Sequence, residues 1–267
     1  MDNVTDKSSI AAIICGYERG GTTLISEILR QYPNLYSGFE CGLLLAEKMP
    51  EFLSLEPYNS MTKLSWRIKD DELEYVCQAN TWLDAYKRLK EKTRLITKQE
   101  GALIFDKTPK YMQKLSQVLA KVPDVPCIVI VRDPRAVLWS WAKRSGLGVQ
   151  KWVKEHLDSH CERYLSYANG WKEAVENGLG DQILLIQYES LCINPVDNAR
   201  KIFEFIGLEF DNSYLHFQEE SKKFDNVYND TVSSSYINEY KDKFSQETCT
   251  KILDKTAEFQ DLFFNIN

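Results

Sequence analysis

At 267 residues the chain can bury a sizeable core without staples, because folding at this size removes roughly three-quarters of the extended-chain surface from water. A hydrophobic fraction of 43% with 27% charged residues excludes wholesale disorder. The net charge of -6 excludes the global basic field of a general nucleic-acid binder, so any anion site must be assembled locally.

In chain order, residues 10–15 (IAAIIC) read as a buried strand, and residues 22–32 as a helix that opens after a Gly pair and stops at Pro33. Residues 72–92 read as one long polar helix, with Leu73, Val76, Leu83, Tyr86 and Leu89 at helical spacing. A strand over 102–105, a helix over 111–121, a strand over 127–131 and helices over 134–144 and 153–177 follow. A strand over 183–186 and a helix over 195–206 complete the alternation. The apolar runs are β-branched and do not alternate, as a parallel sheet covered on both faces requires. The expectation is an α/β fold with a mostly parallel central sheet flanked by helices. From Gly207 onward the chain reads as a helical, loop-rich lobe over the sheet's edge.

No repeat period or low-complexity segment stands out, so residues 1–267 read as a single domain. The longest apolar runs are too short to cross a bilayer, and MDNVTDKSSI lacks the regions of a secretory signal. Seven cysteines, odd in number and without a CxxC pair, read as buried free thiols in a reducing compartment. A cytoplasmic location is expected on these grounds. Oligomeric state stays open.

The strand at 10–15 runs into Gly16-Tyr17-Glu18-Arg19-Gly20-Gly21-Thr22-Thr23, and a helix follows at once. Glycines let successive N–H groups turn toward one anion, and the helix amino terminus adds its positive dipole end. The spacing matches GxxxxGK[ST], but Thr22 stands where a triphosphatase keeps its lysine, and Arg19 supplies a guanidinium instead. The bland alternative is a Gly-rich turn without a ligand. A second basic constellation follows another strand in CIVIVRDPRAVLWSWAKRSG. Arg132 sits at the strand's carboxyl end, where open α/β sheets bind ligands, and Asp133-Pro134 starts a helix on which Ser140 and Arg144 share a face. Taken alone, that segment is better explained as an N-cap aspartate with a solvated basic helix.

Together these segments resemble the PAPS-dependent sulfotransferases. The resemblance implies a P-loop-like sulfotransferase fold, and a co-substrate, 3'-phosphoadenosine 5'-phosphosulfate (PAPS), that leaves as adenosine 3',5'-bisphosphate. It implies that Arg19, Gly20, Gly21, Thr22 and Thr23 hold the 5'-phosphosulfate, while Arg132 and Ser140 hold the 3'-phosphate at the other end. QYESLCINPVDNARKIFEFIGL resembles a further family segment and implies that Tyr188 lies near the adenine. The three motifs occur in the family's order over roughly residues 9–210. PNLYSGFECGLL resembles the stretch carrying the catalytic glutamate of tyrosylprotein-type and related bacterial sulfotransferases, with Glu40 at the matching position. Phe39 and Cys41-Gly42 depart from that stretch, which leaves the acceptor open.

The implied chemistry is in-line transfer of a sulfuryl group to a hydroxyl or amine, with Glu40 as base and Lys107 of FDKTPKY on the bridging oxygen. Pro109 stands where hormone-type relatives place a histidine base, and His156, His160 and His216 match no catalytic motif. Asp106 would orient Lys107 or cap the helix near Pro109. Glu40 could instead be a surface glutamate at a helix start. Ser235 and Lys241, in VSSSYINEYKDKF, match a lid that closes over the donor, the alternative being a serine-rich loop. No cluster with metal-ligand spacing is visible. Residues 49–97 are expected to build much of the acceptor pocket, for a small molecule, glycan or peptide; Trp66, Tyr75, Trp82 and Tyr86 fit helix core better than pocket walls. The other readings are a P-loop kinase-like phosphotransferase and a non-catalytic nucleotide-binding protein.

Overall fold

The computed structural model describes residues 10–97, 100–217 and 230–264. Five strands form one parallel sheet in the order β2-β3-β1-β4-β5, comprising β1 Ala12–Gly16, β2 Leu35–Tyr36, β3 Leu103–Lys107, β4 Cys127–Val131 and β5 Ile183–Gln187. Central β1 pairs on one side with β3, setting Ile14 opposite Lys107, and on the other with β4, setting Gly16 opposite Ile130. Because every pairing is parallel, the carboxyl ends of β1, β3, β4 and β5 emerge along one edge. That edge carries the glycine loop, Lys107, Arg132 and Tyr188.

Side chains alternate between two buried faces, which is why each strand reads as a continuous apolar run. Ala12, Ile14, Phe105, Ile128 and Ile130 face α1 (Thr22–Arg30), α8 (Tyr188–Ile193) and α9 (Pro195–Phe205). Ile13, Cys15, Ile104, Cys127 and Val129 face the opposite layer. That layer holds α3 (Asp70–Cys77), α4 (Trp82–Lys92), α5 (Leu115–Lys121), α6 (Pro134–Arg144) and the long α7 (Val149–Glu176). Trp66, Trp152 and Phe203 are fully buried, and truncating such a side chain to alanine costs about 3–5 kcal/mol.

Several boundaries differ from the expectations. The single helix over 72–92 is two, α3 and α4, because Thr81 is an N-cap whose hydroxyl accepts from the Asp84 N–H at 3.1 Å. Residues 109–114 form a 3-10 turn led by Pro109 before α5 begins, and α7 starts at Val149. Strand β2 and the helices α2 (Tyr58–Ser65) and α8 were not anticipated, being too short for a periodic signal. The carboxyl-terminal helices α10 (Gln246–Lys255) and α11 (Ala257–Phe263) pack on α7, with Phe259 against Tyr164 at 4.2 Å. They touch the sheet's edge strand through Gln187, whose amide donates to the Phe263 carbonyl at 2.5 Å. All seven cysteines are free and buried.

Candidate active site

The glycine loop is shaped by contacts that leave no room for side chains. A Cβ on Gly16 would sit 2.3 Å from the Ile130 carbonyl oxygen, and Gly16 has φ 154°. Gly21, with φ 109°, is the N-cap of α1, and a Cβ there would lie 2.5 Å from the Tyr188 ring. Between them the Gly20 N–H turns back to the Tyr17 carbonyl at 2.9 Å. Helix α1 has no side-chain cap and no acidic residue in its first turn, so its leading N–H groups and dipole remain available to an anion. Thr22 is buried at that position and Thr23 half-buried.

Long helix α7 fastens the loop from behind, which sequence reasoning missed. The Tyr17 ring lies 4.8 Å from both Tyr164 and Tyr167, and its hydroxyl is 3.2 Å from His160 Nδ1. Glu18 Oε1 accepts from the Tyr167 hydroxyl at 2.7 Å and from the Arg163 guanidinium. His160, half-buried against Trp141 and Trp152, is therefore a loop support rather than an ordinary helix residue. The available signal was spacing: His160, Arg163, Tyr164 and Tyr167 recur at helical period on one face.

At the end of β3, Lys107 is 1% exposed. Its ammonium donates to Glu40 Oε1 at 3.2 Å and lies 4.2 Å from the Phe39 ring centroid. Burial pushes the Glu40 carboxyl above its ordinary value, against the pull of the Lys107 charge. Burial likewise lowers the Lys107 ammonium, with Arg30 adding to the effect and Glu40 opposing it. Glu40 begins no helix. It lies before the 3-10 turn Leu43–Leu45, whose N-cap, Gly42 at φ 72°, could not carry a Cβ without meeting the Tyr58 ring at 2.2 Å.

Asp106 performs neither expected role. Its oxygens are taken by Tyr86 and Tyr111, each at 2.6 Å, and by Thr108 at 2.8 Å, all buried. Thr108 Oγ1 in turn accepts from the Gly42 N–H at 2.9 Å, and the Tyr111 hydroxyl from the Leu44 N–H at 3.2 Å. The carboxylate thus ties the Glu40 segment to the strand that carries Lys107. A second tie comes from α1, the helix after the glycine loop: Arg30, paired with buried Glu27 at 2.5 Å, donates to the Gly38 carbonyl at 2.8 Å. Neither tie has a sequence motif.

The other basic constellation lines a cleft of about 180 Å³. Arg132 lies 4.1 Å over the Tyr188 ring and donates to the Arg19 carbonyl at 3.2 Å and the Tyr236 carbonyl at 2.7 Å. Its buried Nε has no acceptor among the described residues. Asp133 caps α6 as expected, accepting from the Arg135 N–H at 2.8 Å. Ser140 and Arg144 line the same cleft from α6. Arg19 differs from its expected place at the opposite end: left-handed backbone, φ 69°, turns its guanidinium toward α6, where Nε donates to Ser140 at 3.0 Å. Ser235 and Lys241 are exposed and do not line the cleft; Tyr236 and Glu239, between them, do.

Trp66 and Tyr86 are core residues, as their spacing suggested, and Arg88 lies 4.6 Å over the Tyr75 ring at the surface. Among the described residues no acidic, His or Cys cluster could hold a metal, and no helix is long and apolar enough to cross a membrane.

The chain and its fold are similar to known proteins. A family model described as "Sulfotransferase family" matches residues 12–212. A protein-tyrosine sulfotransferase from Drosophila melanogaster is 23% identical over 217 residues, covering 77% of this chain and 40% of that protein's own length. Among solved structures, the sulfotransferase domain of the Synechococcus PCC 7002 olefin synthase superposes with a TM-score of 0.65 at 20% identity, covering 93% of this chain and 94% of that one. Mouse sulfotransferase SULT7A1 complexed with PAP gives 0.55 at 12% identity, with 97% and 85% covered. A parallel sheet whose carboxyl edge gathers a glycine loop, a buried lysine and an arginine cleft, together with a family match over residues 12–212, means that this chain belongs to the sulfotransferase family.

Proposed function

We propose that the chain transfers a sulfuryl group from PAPS to a hydroxyl or amine acceptor, with Glu40 as general base. The observation that carries this reading is the 3.2 Å contact between buried Lys107 and half-buried Glu40, set on β3 directly beside the glycine loop of β1. The residues fit a donor that is anionic at both ends. Open N–H groups of Gly21, Thr22 and Thr23 at the start of α1 face one end, and buried Arg132 has an Nε without an acceptor among the described residues at the other. The mouse neighbour carries PAP, which supports the same donor class here.

In this mechanism Glu40 accepts the acceptor's proton as the acceptor oxygen or nitrogen bonds to sulfur. The S–O bond to the leaving phosphate breaks, and its electron pair passes to the bridging oxygen. Lys107 donates a hydrogen bond to that oxygen as its charge grows, from a dry position where such a donor is most effective. The raised Glu40 carboxyl is a stronger base than an ordinary carboxylate. Arg132 and Ser140 hold the 3'-phosphate, Tyr188 faces the base from beneath Arg132, and Arg19 spans the two anion sites. The acceptor is a small molecule, a glycan or a peptide. The Drosophila relative is named for protein tyrosine, whereas Phe39 and Cys41-Gly42 alter the stretch around the base in this chain.

Kinase chemistry is disfavoured by Thr22 at the phosphate-loop lysine position. Thermal unfolding should rise with adenosine 3',5'-bisphosphate, because a ligand of the native state stabilises it, and labelled sulfate should move from PAPS to a member of an acceptor library. Stabilisation by ATP with magnesium and none by the bisphosphate would reject the assignment.

A further inference from the structure

Arg19, Arg132, Lys143 and Arg144 converge on the cleft beside α6, and among the described residues that line it Glu239 contributes the carboxylate. Its oxygen Oε1 accepts from the Lys143 ammonium at 2.7 Å. Three residues earlier on the same segment, the Tyr236 carbonyl accepts from Arg132 at 2.7 Å. Neighbouring Tyr240 anchors the segment: it is buried, its hydroxyl lies 3.4 Å from Asp133 Oδ2, and Arg135 sits 4.9 Å over its ring. Glu239 is therefore held at the rim rather than swinging free. Burial pushes its carboxyl upward, but the Lys143 bond and charge, then Trp139 and Arg132, outweigh that and keep it below the ordinary range. It is a carboxylate at neutral pH. A site that only had to grip a phosphate would gain nothing from a fixed negative charge at its edge.

We propose that Glu239 is a specificity-determining residue of the donor cleft, an internal anion that competes with the 3'-phosphate for Lys143 and for the field of Arg132. The inference rests on the reading of this cleft as the 3'-phosphate site. Donor and product carry the same 3'-phosphate, so the cationic cleft that grips the donor would also retain the product after transfer, and release sets turnover in many enzymes. Glu239 lowers that affinity without touching the reacting atoms.

The test is calorimetric titration of adenosine 3',5'-bisphosphate and adenosine 5'-phosphate into the unmodified protein, Glu239→Gln and Glu239→Ala. Loss of one negative charge beside a phosphate dianion at a solvated rim should tighten bisphosphate binding about fivefold to tenfold in both variants, with the gain shrinking as salt rises. Affinity for the 5'-monophosphate should stay within about twofold. Unchanged or weaker bisphosphate binding in either variant, or an equal gain for both nucleotides, overturns the role of Glu239 and leaves the donor reading standing. If neither the unmodified protein nor the variants prefer the bisphosphate over the monophosphate, the donor reading falls and this inference with it.

Discussion

At the β3 end of the sheet edge, Lys107 and Asp106 are fully buried, and their polar atoms meet Glu40, two tyrosines and a threonine within 3.2 Å. At the β4 end, Arg132 leans on an aromatic ring and two backbone carbonyls, and its neighbours Lys143 and Arg144 are exposed. In the proposed mechanism the first region holds Glu40 and Lys107 still in a largely dry setting, where an electrostatic contact is strong. In the same reading the second makes contacts that an incoming phosphate would replace, in a more solvated setting where each is worth less. On the proposed reading, fixed geometry lies where charge would move, and exchangeable contacts lie where the donor would enter and leave.

The comparison breaks most sharply at the chemical end. Glu40→Gln and Lys107→Met should each lower kcat by about a hundredfold or more while the bisphosphate Kd moves less than about threefold. The pH dependence gives the sign. Glu40 must be ionised and Lys107 protonated; burial raises the first above 4.5 and lowers the second below 10.5. The acid limb of kcat should therefore lie above the ordinary carboxylate range and the alkaline limb below the ordinary lysine range. Glu40→Gln should abolish the acid limb and, by removing the charge that supports Lys107, move the alkaline limb to lower pH. Full activity with an unshifted profile would remove Glu40 from the base role.

Asp106→Asn tests whether the dry end depends on its support. An amide offers one acceptor where three hydroxyls now converge, so denaturant unfolding should show a loss of about 2–3 kcal/mol. An unchanged midpoint would mean that the tyrosines hold the Glu40 segment by packing alone. The smallest effect belongs to the exchangeable end. Arg132→Ala should weaken bisphosphate binding by about tenfold, roughly 1.4 kcal/mol, and leave adenosine 5'-phosphate nearly unaffected. Equal losses for both nucleotides would show that Arg132 serves the ring of Tyr188 rather than a 3'-phosphate.

Four of the five strands and the span of α6 were legible because buried parallel strands are short unbroken apolar runs and α6 carries an Asp-Pro start. The glycine loop was legible for a similar local reason, since its tight turn puts Gly16 and Gly21 at φ 154° and 109°, where the backbone favours glycine. Illegible were the split at Thr81, where a cap overrode a helical period, and two-residue β2. The placement of Ser235 and Lys241 outside the cleft was also beyond reach, because an irregular segment has no period from which to infer which residue faces inward.

By itself, the amino-acid order determined the strand-loop-helix units and the residue types offered to an anion, because backbone sterics and hydrophobic period act over a few neighbours. Which partner each polar side chain meets was decided only by folding. Lys107 reaches Glu40 across 67 positions, Arg19 reaches Ser140 across 121, and Tyr167 reaches Glu18 across 149. No local pattern encodes those encounters, since they depend on the order in which parallel strands assemble and on the face that each helix turns toward the sheet.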